Sequence, residues 1–142
     1  MNVKSVPRMF LAVAISLLSG FAFGAEGPAN DREAVTSFQR LWRESLAKKL
    51  DSSPHFDLLS HLYAEPGRVF ARLQTSSESL QRVSGSLTED EKKRLIVVGS
   101  LADLKPERQV WAVTNPGGGP GFEAYLDAKN GHLILLWVVP EG

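Results

Sequence analysis

The chain has no cysteine, which excludes thiol nucleophiles, thiolate metal sites and disulfide staples together. Histidine is scarce as well, with three in 142 residues. His55 and His61 stand six apart, so on a helix they point about 120° away from each other, whereas two ligands on one face need a spacing of three or four. No metal and no cofactor are expected. Neither sign of charge dominates, since sixteen Lys and Arg meet sixteen Asp and Glu. The basic footprint that a phosphate backbone demands is missing, and no nucleic-acid partner is expected. No apolar run reaches the about 20 residues needed to span a bilayer, so no membrane span is expected either.

The first 24 residues carry an address. Lys4 and Arg8 precede an apolar run from Met9 to Leu18, Ser19-Gly20 breaks it, and Ala22-Phe23-Gly24 places small residues where a signal peptidase reads. Residues 1–24 are therefore expected to be a secretory signal peptide, and 25–142 a single domain starting at Ala25. Without Lys4 and Arg8, fourteen basic residues face sixteen acidic ones, a formal charge of −2. Export without cysteine fits a bacterial periplasm, where disulfides are permitted but a chain of this length does not need them.

Glu26 to Asn30 reads as a tether, with Asn30 as helix N-cap and Glu33 in the reciprocal position. Val35, Phe38, Trp42, Leu46 and Leu50 then mark one face of an amphipathic helix, opposite Arg32, Arg40, Arg43, Lys48 and Lys49. Ser53-Pro54 opens a second helix with Phe56, Leu59, Leu62 and Tyr63 as its apolar side, stopped by Pro66-Gly67. A strand follows, with Val69, Ala71 and Leu73 alternating against Arg68, Phe70 and Arg72. Ser76 to Ser86 is expected as loop or frayed helix. Thr88 and Glu91 form a capping box, and Leu95 to Val98 reads equally as helix or strand before a bend at Gly99. Three strand-like runs close the chain: Gln109 to Thr114, Phe122 to Asp127 and His132 to Val139, with the last two joined at Asn130-Gly131. The fold expected is α+β, with N-terminal helices packed on one face of an antiparallel sheet of about four strands.

Pairing the last two strands about Asn130-Gly131, with either Lys129 or Asp127 opposite His132, puts Phe122, Ala124, Leu126, Leu133, Leu135 and Trp137 on one face. The other face holds Glu123, Tyr125, Asp127, Ile134, Leu136 and Val138. The first set is core. The second is half polar on one strand and apolar on the other, so something must cover it: the chain's own helices, a second copy, or a partner protein. Tyr125, Ile134, Leu136 and Val138 are thus candidate partner-binding residues. The loop Gly117-Gly118-Gly119-Pro120-Gly121 follows a strand but lacks the Gly-Lys-Ser or Gly-Lys-Thr ending of a phosphate cradle. It reads as a displayed hairpin loop, and Gly118 and Gly119 join the candidate contacts.

Tyr125-Leu126-Asp127-Ala128-Lys129-Asn130-Gly131-His132-Leu133 resembles the closing hairpin of the PepSY family, and Pro66-Gly67-Arg68-Val69 is similar to that family's helix-to-strand junction. The stretch from Thr75 to Glu107 is longer than the family places between its strands, and Pro116 to Pro120 replaces a tight turn. The resemblance implies a small exported, non-catalytic helix-plus-sheet module whose relatives inhibit or chaperone peptidases or act as envelope sensors. It implies structural roles for Asp127 and Gly131.

Enzymatic groupings fare poorly. No serine sits in a Gly-x-Ser-x-Gly elbow. Glu123 and Asp127 share a strand face but lie about 13 Å apart, beyond the roughly 5.5 and 9.5 Å spacings of glycosidase carboxylates. Asp57 with His61 reads as a surface ion pair before a dyad. The function expected is a non-enzymatic periplasmic protein that binds, and inhibits or neutralises, a protein partner such as a peptidase, a cell-wall hydrolase or a delivered toxin. A self-associating envelope subunit and a small-ligand binder or sensor are the alternatives.

Overall fold

Asn30 starts the first helix as its position suggests: its Oδ1 accepts from the Glu33 amide at 2.9 Å, while Glu33 Oε1 accepts from the Ala29 amide at 2.9 Å. The computed structural model describes residues 26–55, 57, 69–115 and 121–140. Helix α1 (Asp31–Leu41) runs into a π-helical turn (Trp42–Leu46) and a last short turn, α2 (Ala47–Lys49). Phe38, Trp42, Leu46 and Leu50 are all buried. A spacing of four drifts about 40° per step on a regular α-helix, so three such steps would carry Leu50 off the core side. The π turn takes up an extra residue and holds the later side chains inward.

Among the described residues the sheet has five strands: β1 (Phe70–Thr75), β2 (Ile96–Val98), β3 (Gln109–Thr114), β4 (Gly121–Asp127) and β5 (Leu133–Val139). Their order is β1-β3-β4-β5-β2 and each neighbouring pair is antiparallel. The architecture is α+β. Between β1 and β2 lie helix α3 (Ser76–Ser86) and helix α4 (Glu89–Leu95). Each begins with a full capping box, Thr75 with Glu78 and Thr88 with Glu91. The serine-rich stretch is thus helical. Ser76, Ser79 and Val83 form its buried side, where small side chains bring the helix close to the sheet. After α4 the β-branched run Ile96–Val98 becomes strand, and Gly99 turns the chain at φ 84°.

Helix α1 covers one sheet face, where Phe38 stacks on Phe122 with centroids 5.3 Å apart. Helix α3 and the 3-10 turn at Leu101–Leu104 cover the other, with Leu104 wholly buried. The segment before α1 is no loose tether. Gly27 N donates to Lys129 O at 2.8 Å, and Trp111 Nε1 donates to Pro28 O at 3.3 Å. This pins the chain entry onto the β4–β5 turn, and a Cβ at Gly27 would meet Ala128 O at 2.1 Å. Among the described residues no helix is long and apolar enough to cross a membrane. The expected signal peptide, and the expected second helix apart from its first residues, lie outside the described residues.

Candidate functional site

The turn at Asn130-Gly131 forms as expected, with Asp127 N donating to His132 O at 2.8 Å. The faces beyond it do not follow the simple register. Leu126 pairs with Leu133, but Tyr125 pairs with Leu135, so Ile134 is an extra residue in β5, a β-bulge. Because side chains alternate with a period of two, one inserted residue moves every later side chain to the opposite face. Leu136 and Val138 therefore join Phe122 and Ala124 under α1. Leu135 and Trp137 join Glu123 and Tyr125 under α3. Tyr125, Leu136 and Val138 are buried by the chain's own elements and Ile134 is partly buried, so these residues do not form one exposed apolar face. Gly118 and Gly119 lie outside the described residues.

The corrected register builds a polar cluster. Trp137 stands opposite Glu123 across the β4–β5 ladder, and Tyr125 lies two residues along from Glu123 on the same face. Trp137 Nε1 donates to Tyr125 Oη at 3.0 Å, and Tyr125 Oη donates to Glu123 Oε1 at 2.6 Å. From α3, Arg82 Nε and Nη2 donate to Glu123 Oε2 at 3.0 and 2.9 Å, and the guanidinium lies 5.5 Å from the centre of the Trp137 ring. Glu123 is 12% exposed and Arg82 47%. Both carboxylate oxygens and both aromatic polar atoms are occupied, so the cluster works as a clamp fastening α3 to the sheet. Burial, with the Glu123 charge and hydrogen bond behind it, pushes the Tyr125 hydroxyl far above its ordinary range. The hydrogen bond to Glu123 holds Arg82 charged, against some burial.

A pH dependence follows from Tyr125. Its hydroxyl ionises later in the folded than in the unfolded chain, so its contribution is fully present below about pH 10 and is lost as pH climbs above that, by about 1.4 kcal/mol per pH unit. Ultraviolet titration of the wild type and Tyr125→Phe checks this. The phenolate that the wild type shows and the variant lacks should appear only with loss of structure, and the variant should unfold with one proton fewer in its alkaline slope. A Tyr125 phenolate forming near pH 10 in a folded chain would contradict the clamp.

The other sequence candidates are apart. Asp127 lies 3.8 Å from Arg108 and receives the Lys129 amide at 2.7 Å, remote from the Glu123 clamp. His55 Nε2 lies 2.8 Å from Arg94 O, which ties the start of the 53–68 segment to the end of α4. His61 lies outside the described residues, and with it the Asp57 pair. Among the described residues no cluster of three or more His, Asp or Glu could hold a metal.

Among the described residues, the large apolar side chains left exposed lie on the edge strand β1. Phe70 is 48% and Leu73 44% exposed, one on each face of the edge strand, with exposed Arg72 between them. The Val69, Ala71 and Leu73 alternation suggested one buried face, yet Val69 and Gln74 are the buried positions here. The overlooked signal was an arginine flanked by apolar residues on both sides, a pattern edge strands use. No family model, no curated protein and no solved structure matches the chain.

Proposed function

We propose that the protein is a non-enzymatic exported binding protein that engages, and inhibits or neutralises, a protein partner of the envelope through the β1 edge. The observation that carries the reading is the pair Phe70 and Leu73. Two large apolar side chains half open to solvent on one short edge strand are what a protein interface uses and what a solitary domain would screen. The likeness of Tyr125–Leu133 to the PepSY closing hairpin supports the same reading, as does the leader-like segment at residues 1–24. Residues 25–142 carrying a tag, passed through a periplasmic extract, should retain one stoichiometric partner. Phe70→Glu with Leu73→Glu should lose it, while the melting temperature holds within a few degrees because both sites are solvent-facing. Retention undiminished by that double change would remove the edge from the reading.

A further inference from the structure

Among the described residues, one side of the β1 backbone is paired with β3 and the other pairs with no strand. Ser76 N donates to Arg108 O at 2.8 Å, and Ala128 N donates to Gln109 O at 3.1 Å, which fixes the alternation in β3. Val110, Ala112 and Thr114 turn their main-chain groups toward β1, and Gln109, Trp111 and Val113 turn theirs toward β4. Through the β1 register, Phe70, Arg72 and Gln74 bond inward to β3. Ala71, Leu73 and Thr75 point their amides and carbonyls away from the sheet. The Thr75 amide is taken by Glu78 Oε1 at 2.8 Å. Among the described residues nothing takes those of Ala71 and Leu73.

Resting on the partner reading above, we infer that the occupant of this edge is an extended segment of the partner, added antiparallel to β1 as a sixth strand. Main-chain bonds to Ala71 and Leu73 hold it, and an acidic side chain sits opposite Arg72. Charge selects this occupant. Arg72 gives two bonds to Gln74 Oε1, from Nε at 3.3 Å and Nη2 at 2.8 Å, which leaves guanidinium donors for a carboxylate. A second copy of the chain fits worse. The two-fold register that uses both Ala71 and Leu73 places Arg72 directly against its own symmetry mate, a destabilising like-charge pair. Slipping by two residues one way requires the Thr75 amide that Glu78 already holds. Slipping the other way runs into Val69, which precedes the strand. The added strand would carry an apolar residue beside Phe70 on the α3 side and another beside Leu73 on the α1 side, with the acid between them.

The test uses residues 25–142 and the peptide acetyl-Thr-Val-Glu-Val-Val-Thr-amide, whose Glu falls opposite Arg72 and whose flanking valines face Leu73 and Ala71. Saturable shifts of the Ala71 and Leu73 amide resonances are expected, with slowed hydrogen exchange at both. N-methylation of the two flanking valines should weaken binding about tenfold or more, and Glu to Lys in the peptide about tenfold. Ala71→Pro removes an outward amide that the fold does not use, a change edge strands accommodate, and should abolish the shift at Leu73. The methylated peptide gives the same answer without altering the protein. No shift at Ala71 and Leu73 with millimolar peptide overturns strand addition. If a partner is nevertheless retained through Phe70 and Leu73 and survives Ala71→Pro, the binding reading stands without it. A concentration-dependent dimer protecting the same two amides makes the second copy the occupant and also overturns the proposal.

Discussion

Trp137→Ala is expected to lower the melting temperature by on the order of 15 °C, the consequence of losing about 3–5 kcal/mol in a domain of this size. Trp137 is wholly buried between β4, β2 and the Arg82 guanidinium. Removing it opens a cavity beneath α3 and takes away the donor that Tyr125 Oη accepts. Total stabilities of about 5–15 kcal/mol leave little margin for such a loss. Arg82→Ala, at the half-exposed end of the same cluster, should cost only about 1 kcal/mol, because solvent already screens that ion pair. The register has its own test. In a double-mutant cycle, Trp137→Phe and Tyr125→Phe should be non-additive by about 1 kcal/mol, since the two side chains share a hydrogen bond. Without the bulge at Ile134 they would sit on opposite faces of the sheet and their effects would add. Melting within a few degrees of wild type for Trp137→Ala, or strict additivity in the cycle, would refute the assignment of Trp137 to the Tyr125 side.

Where local chemistry decides, the residues announce the structure. Asn30 with Glu33, Thr88 with Glu91 and Asn130-Gly131 are helix starts and a turn whose side chains or conformation act within a few positions, and each stands where its spacing suggests. The α+β class follows from the same signals. Thr75 with Glu78 is an equally local cap, but the serines after it masked the helix, because their burial against the sheet is a tertiary event. Faces are harder than elements. Trp137, Leu135, Leu136 and Val138 are all apolar, so alternation along β5 gives no sign that a bulge has exchanged their sides. Polarity could have revealed it. Glu123 and Tyr125 need buried partners, and Trp137 is the one residue of β5 with a donor to offer. The edge at β1 is harder to read for a related reason, since Arg72 between apolar residues hints at an edge strand but the pairing of β3 settles it.

Gly99 and Gly131 allow the bulge itself to be weighed, because both hold left-handed backbone, at φ 84° and 78°, with different surroundings. A Cβ at Gly131 would meet Pro28 Cδ at 3.5 Å and Gly27 Cα at 4.0 Å, both ordinary contacts. Gly131→Ala should therefore cost only the conformational penalty, about 1–2 kcal/mol. A Cβ at Gly99 would lie 2.2 Å from Ile134 O and 3.1 Å from Leu135 Cα, both main chain and both at the bulge. A carbonyl held in the sheet cannot swing aside like a side chain, so β2 must separate from β5 to make room. Ile96 is aligned with Trp137 and Val98 with Leu136 across that seam, so the separation also opens the core edge that β2 covers. Gly99→Ala should then destabilise by about 3 kcal/mol or more, the backbone penalty plus lost burial at β2. Urea denaturation of the two variants checks the difference, and hydrogen exchange should show the Ile96 and Val98 amides losing protection in Gly99→Ala alone. Equal costs for the two glycines would mean that β2 does not press against the bulge, and that β5 could carry Ile134 without the seam that closes the sheet on that side.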